Sequence, residues 1–198
     1  SDFGSQFLGR LDPATLDVKE YPVPLHRAGF PEGALDLEID PNGDLWLGLM
    51  FQSGLARFDR ASERVETIQL PPKFLTETSQ QAMVAPHSFY VDNKVWAVET
   101  GARGLYRIDI ETGEFESFDP FEEFPPPHSM YSVMADAQNN LWFLDFASEN
   151  IGKVDAKTRS VTLFPTPTPG SRPRRGRFDD RGRIWFAEFA AERIGVFD

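Results

Sequence analysis

The chain has 198 residues, 26% charged and 40% hydrophobic, with 18 Phe, 16 Pro, 15 Gly, no Cys and a formal net charge of −11. That composition is globular, and no stretch approaches the roughly 18 consecutive apolar residues of a spanning helix, so no membrane span is expected in this chain. The absence of Cys excludes disulfides, thiolate chemistry and Cys-ligated zinc but leaves the compartment open, and the acidic balance argues against nucleic acid.

In chain order the first recurring signal is Asp12, which closes GRLD. Trp46, Trp96, Trp142 and Trp185 follow, spaced by 50, 46 and 43 residues, and thirteen residues after each stands an Asp: Asp59, Asp109, Asp155 and Asp198. Ahead of each Trp lies a turn rich in Asn, Asp and Gly, namely DPNGDLW (40–46), VDNKVW (91–96), DAQNNLW (136–142) and DDRGRIW (179–185). These residues tolerate positive φ and join short apolar runs into hairpins.

The first full copy reads as four strands, ALDLEI (34–39), LWLGL (45–49), LARFD (55–59) and VETIQL (65–70). The third reads as YSVMAD, LWFLDF, IGKVD and SVTLFP. Alternating patterns of about five residues with turn signals every 8 to 12 predict an all-β antiparallel architecture with almost no helix. A four-stranded unit of about 45 residues, repeated, is the signature of a β-propeller blade. One domain over 1–198 is expected, with blades at about 33–72, 87–124, 130–165 and 175–198 and a partial blade at 1–22. The Pro-rich stretches 71–73, 124–129 and 165–170 recur at blade junctions and serve as connections rather than linkers. Residues 2–12 align with 145–155 and with 188–198, so about four blades are present. They form either a small closed ring or part of a larger one; a larger parent is the favoured expectation, because an open ring leaves sheet edges that proteins normally cover.

Propeller topology brings the start of each first strand and the end of each second strand to one mouth of the channel. At the starts stand Glu32, His87, His128 and Arg174; at the ends, three residues after each Trp, stand Leu49, Glu99, Asp145 and Glu188, with Asp2 a fifth by phase. His with carboxylates can bind a divalent metal or act as an acid/base pair. It can equally serve the fold, the His orienting a turn and the carboxylates capping backbone N–H groups. His26, in PVPLHRAG, has no repeat partner and reads as a surface residue. The four Trp, and the Phe with them, read as wedges between sheets. Six Arg fall between Arg172 and Arg183. At least one of Arg174 and Arg175 should face the mouth, where a guanidinium fork suits a carboxylate or phosphate; the competing expectation is local pairing with Asp179, Asp180, Glu188 and Glu192.

The pattern PHG…D.DG.LWFTE…..IG.ID..TG….F..PTP.S.P is matched best by residues 134–198, MADAQNNLWFLDFASENIGKVD onward. It resembles the streptogramin B (virginiamycin B) lyase family of seven-bladed propellers, over nearly the whole chain. The resemblance implies magnesium-dependent, non-hydrolytic opening of a cyclic depsipeptide lactone. His87 and His128 would then be catalytic, and Glu99, Asp145 and Glu188 would hold the metal. PRRG stands where PHG is expected, so Arg174 replaces a His, and Arg cannot serve as a neutral base. The reading that follows is an extracytoplasmic bacterial binding or assembly module, periplasmic or secreted. Its ligand-binding residues would be Arg174, Arg175 and Glu32, and its partners a protein assembly or an anionic small molecule. The alternative is the magnesium-dependent lyase.

Overall fold

The structure is a computed structural model that describes residues 4–75, 81–85 and 92–198. Among these the chain is all-β, with one 3₁₀ turn at Pro72–Phe74. A two-stranded sheet comes first, β1 (Phe7–Leu11) and β2 (Val18–Pro22). The first blade is β3 (Ala34–Ile39), β4 (Leu45–Leu49), β5 (Gly54–Asp59) and β6 (Arg64–Gln69). The second is β7 (Ala82–Ala85), β8 (Lys94–Glu99), β9 (Leu105–Asp109) and β10 (Phe115–Phe118). The third is β11 (Met130–Ala135), β12 (Leu141–Asp145), β13 (Asn150–Val154) and β14 (Val161–Pro165). The fourth has three strands, β15 (Pro173–Phe178), β16 (Ile184–Glu188) and β17 (Arg193–Phe197). Consecutive strands pair antiparallel, and the first strands β3, β7, β11 and β15 follow one another around a common axis, giving a four-bladed β-propeller. No ladder joins β17 to β1 among the described residues; an ion pair between Arg177 and Glu38 at 2.6 Å spans from the fourth first strand to the first.

The repeated residues have repeated jobs. Asp40, Asp136 and Asp179 each take turn N–H groups on Oδ1, while Oδ2 accepts the indole N–H of Trp46, Trp142 or Trp185 at 3.0, 2.9 and 2.9 Å. A buried indole N–H without an acceptor would cost about 1–3 kcal/mol, so the turn carboxylate is what allows the Trp to sit between sheets. The second blade has a shorter turn, and there Trp96 donates to the Asn139 carbonyl of the third blade at 2.8 Å. The Asp thirteen residues on caps the next turn: Asp12, Asp59, Asp109 and Asp155 accept N–H groups two or three residues ahead. Bulges in β3 and β11 lie beside buried polar residues that latch neighbouring blades, Asp36 accepting from Val84 N–H and Ser132 from Gly176 N–H.

The core lies between blades. Trp46 clusters with Ile108 of the second blade, Trp96 with Val154 of the third, and Trp142 with Ile184, Phe186 and Phe197 of the fourth. Trp185 departs from the wedge expectation: it is 43% exposed, with no sheet packed over it among the described residues. Gly152 and Gly195 hold matching places in β13 and β17, each beneath a Phe ring of the strand beside it; a Cβ on Gly152 would come within 2.0 Å of the buried Phe143 ring. Gly152→Ala should therefore destabilise the chain by roughly 1–3 kcal/mol through overpacking. Urea denaturation followed by Trp fluorescence measures it, and a midpoint equal to wild type would contradict this packing.

Candidate functional site at the mouth between the third and fourth blades

The ladders put the last residue of each second strand opposite the first residue of its first strand: Leu49 to Ala34, Glu99 to Ala82, Asp145 to Met130 and Glu188 to Pro173. These four positions share one end of the axis, as the topology predicts, and all four side chains are buried. The chemistry differs at each.

Asp145 is fully engaged. Its Oδ1 accepts from Ser129 N–H at 2.8 Å, and its Oδ2 accepts from the Ser148 hydroxyl at 2.6 Å and meets His128 Nδ1 at 2.5 Å. The His128 ring stacks on Phe121 with centroids 4.3 Å apart, and its Nε2 is buried without a hydrogen-bond partner among the described residues. Arg174 does not take the place of His128. Pro173 is already the first residue of β15, so the motif alignment is out of phase with the ladder, and Ser171 holds the position in the fourth blade that His128 holds in the third. Ser171 is buried and its hydroxyl pairs with that of Thr166 at 2.6 Å.

Beside Asp145 the chain builds a cationic platform. In a regular strand Arg174 and Arg175 would point to opposite faces. The bulge between Arg174 and Gly176, with Arg175 at φ 52°, lets both donate to the Tyr131 hydroxyl, at 2.7 and 3.3 Å. Arg174 lies over the rings of Tyr131, Phe146 and Phe189 at 4.2, 5.3 and 5.0 Å, and Arg172 over Phe146 at 4.1 Å while donating to the Phe146 carbonyl. None of these three Arg makes a close ion pair among the described residues, although the charge of Arg175 pulls on the buried Asp36 carboxyl. Local pairing falls to another member of the run, Arg183 with Asp179, while Arg177 pairs with Glu38 of the first blade. Tyr131, Phe146, Phe189 and Arg172 were not singled out from sequence. The signal was there in DF (145–146) and EF (188–189), where a Phe follows the second-strand carboxylates of the third and fourth blades, and at the rim these rings support guanidinium groups rather than wedge sheets.

Glu99 stands apart, at the junction of the first and second blades. Neither of its oxygens has a hydrogen-bond partner among the described residues. Burial pushes its carboxyl up to about 7, against the pull of the Arg27 charge and the Ser53 hydroxyl. Arg27 is held there by the buried Gln52, whose Oε1 accepts from the His26 and Arg27 N–H groups and whose amide donates to the Arg27 and Pro31 carbonyls. His26 is thus no free surface residue: it is half-buried against Gly54, and desolvation lowers its pKa. Glu32 is exposed on the adjoining loop and is not part of the platform. His87 and Asp2 lie outside the described residues.

Magnesium asks for oxygen ligands with free lone pairs in near-octahedral array. Both oxygens of Asp145 accept hydrogen bonds, and the described residues contain no group of three or more His, Asp or Glu placed to hold a metal ion. A cleft of about 520 Å³ lined by Glu116, Asp119, Glu122, Glu123 and Arg159 lies at the outer strands of the second and third blades.

Together these features define a β-propeller with a cationic, aromatic mouth. No family model and no curated protein matches the chain. Solved structures do match. Virginiamycin B lyase from Staphylococcus aureus superposes with a TM-score of 0.76 at 23% identity over 98% of this chain and 60% of that one. A catalytically inactive form of that enzyme, solved with quinupristin, matches equally. A protein of unknown function from Bacteroides caccae matches with a TM-score of 0.64 at 14% identity, over 100% of this chain and 67% of that one. These likenesses show the fold, and the chain spans about three-fifths of the length of the lyase structures.

Glu99 has a consequence for stability. Its carboxyl is near 4.5 when unfolded and about 7 when folded, so the folded state holds the proton more tightly. The contribution is full below pH 4.5 and is lost as pH rises through 7; Glu38, also raised to about 7 by burial despite Arg177, adds to the same window. Glu99→Gln should raise stability at pH 8 by about 1–3 kcal/mol and leave it nearly unchanged at pH 4. Thermal melts across that range test this, and an equal shift at both pH values would contradict it.

Proposed function

We propose that the chain is a binding module whose mouth between the third and fourth blades takes an anionic small molecule bearing a carboxylate or phosphate. The observation that carries the reading is that Arg172, Arg174 and Arg175 gather over Tyr131 and Phe146 with no close ion pair among the described residues, in a chain of net charge −11. Stacking holds the guanidinium planes and lowers the ordering cost of binding, while N–H edges remain to grip an oxyanion. Surrounding acidity favours ligands small enough to reach the platform over extended polyanions. Isothermal titration with citrate and with inorganic phosphate at low ionic strength tests it. Arg174→Ala combined with Arg175→Ala should weaken binding of the bound probe at least tenfold, about 1.4 kcal/mol. Arg175→Ala alone, at an exposed position, should give a smaller loss with an unchanged melting temperature. No heat with either probe, or affinity unchanged in the double variant, overturns the reading.

A second reading, lyase chemistry, is favoured by the His128–Asp145 pair. A carboxylate on Nδ1 fixes the tautomer and supports Nε2 as an acid/base atom, and Nε2 is the nitrogen left without a hydrogen-bond partner among the described residues. Ring opening of quinupristin followed by mass spectrometry tests it. Turnover by wild type that is lost in His128→Ala supports the reading, and absence of turnover by wild type removes it.

A further inference from the structure

The platform at the mouth has more hydrogen-bond donors than acceptors, and this imbalance narrows its ligand. A phenolic oxygen offers two lone pairs and one proton. The Tyr131 oxygen accepts from Arg174 at 2.7 Å and from Arg175 at 3.3 Å, so both lone pairs are taken and its O–H can only donate. Among the described residues nothing accepts that proton. Arg174 adds a second unmatched donor, since its Nε–H is buried without a hydrogen-bond partner among the described residues. The side chains of Arg174 and Arg175 bond to no described residue but Tyr131, apart from ring contacts, and that of Arg172 only to the Phe146 carbonyl.

The arrangement belongs to this junction and not to the repeat. Tyr131 sits in the bulge of β11 between Met130 and Ser132, and the matching bulge of β3, between Ala34 and Asp36, carries Leu35, which has no side-chain donor. β7 pairs with β8 without a bulge. A bulge re-aims the side chain it carries, and here two of them, in β11 and β15, bring a hydroxyl and two guanidinium groups to one place.

What the cluster lacks is a guest rich in acceptors. A carboxylate has two oxygens in one plane, and a single guanidinium fork satisfies it. Two guanidinium groups meeting at a hydroxyl whose proton points elsewhere supply donors from three directions, and they ask for three oxygens that are not coplanar. A phosphate or sulfate group has these. We infer, resting on the anion-binding reading above, that the mouth selects a tetrahedral oxyanion over a carboxylate, with Tyr131 setting the selectivity by donating its O–H to the third oxygen.

Benzoate, phenyl sulfate and phenyl phosphate share a ring and differ in the anionic group, and the first two carry the same charge. In isothermal titration of the full chain at low ionic strength, phenyl sulfate should bind roughly tenfold more tightly than benzoate, the worth of one hydrogen bond to a charged group. Phenyl phosphate should bind at least as tightly as phenyl sulfate. Inorganic phosphate that binds as well as phenyl phosphate makes the free ion the ligand, and weaker binding makes it an organic ester. Tyr131→Phe keeps the ring beneath the guanidinium groups and removes only the hydroxyl. It should narrow the preference for phenyl sulfate over benzoate to roughly twofold, with a circular dichroism spectrum like that of wild type. Benzoate bound by wild type as tightly as phenyl sulfate overturns the inference and leaves anion binding at the mouth standing, whereas no heat with any of these probes removes that reading as well. A preference unchanged in Tyr131→Phe also overturns the inference, because the selectivity then does not come from the hydroxyl.

Discussion

The structure depends on a single arrangement, an indole that must be wedged between two sheets while its N–H is kept satisfied. A four-stranded sheet with an apolar residue on each face cannot be stable alone in water; stacking neighbours buries the faces. Trp is the largest wedge available, but it brings a donor that is costly to bury unpaired. Asp40, Asp136 and Asp179 solve both problems at once, because the carboxylate that tightens the hairpin also accepts the indole N–H. Turn, wedge and blade spacing are therefore one unit.

That coupling explains why the fold was legible. Thirteen residues from Trp to Asp measure one strand, one turn and another strand, and in three of the four copies the Trp bonds to its turn Asp at the same place. Four blades, their antiparallel order and the shared rim of Leu49, Glu99, Asp145 and Glu188 all follow from it. What the repeat could not show is what each landmark faces. Trp185 has the same local sequence as Trp142 and the same bond to its turn Asp, yet one is covered by the next sheet and the other is half in water.

The site was legible only in part, for the same reason. Phase identified Asp145 and Glu99 as equivalents, but their chemistry is set by loops outside the repeat. Ser129, Ser148 and His128 saturate Asp145, whereas Glu99 meets Arg27 through a Gln52 scaffold with no counterpart in the third blade. Motif matching also misplaced Arg174, because PRRG resembles a His-bearing turn while its Pro173 already belongs to the strand. A bulge then turned two adjacent Arg toward one tyrosine hydroxyl, a consequence of backbone irregularity that periodicity averages away.

The acidity of the chain and its cationic mouth act together. With 31 acidic against 20 basic residues, several cations are paired with a carboxylate: Arg57 with Asp44, Arg103 with Asp119, the buried Arg107 with Asp92, Arg159 with Glu116. A guanidinium left over aromatic rings in such a field is one that the fold has kept from neutralisation. Tyr131, Phe146 and Phe189 lie against the faces of the Arg172 and Arg174 guanidinium groups and hold their planes, while an oxyanion pairs through the N–H edge. A repeat unit built to bury aromatics has, at this one mouth, placed them where they hold charge at the rim.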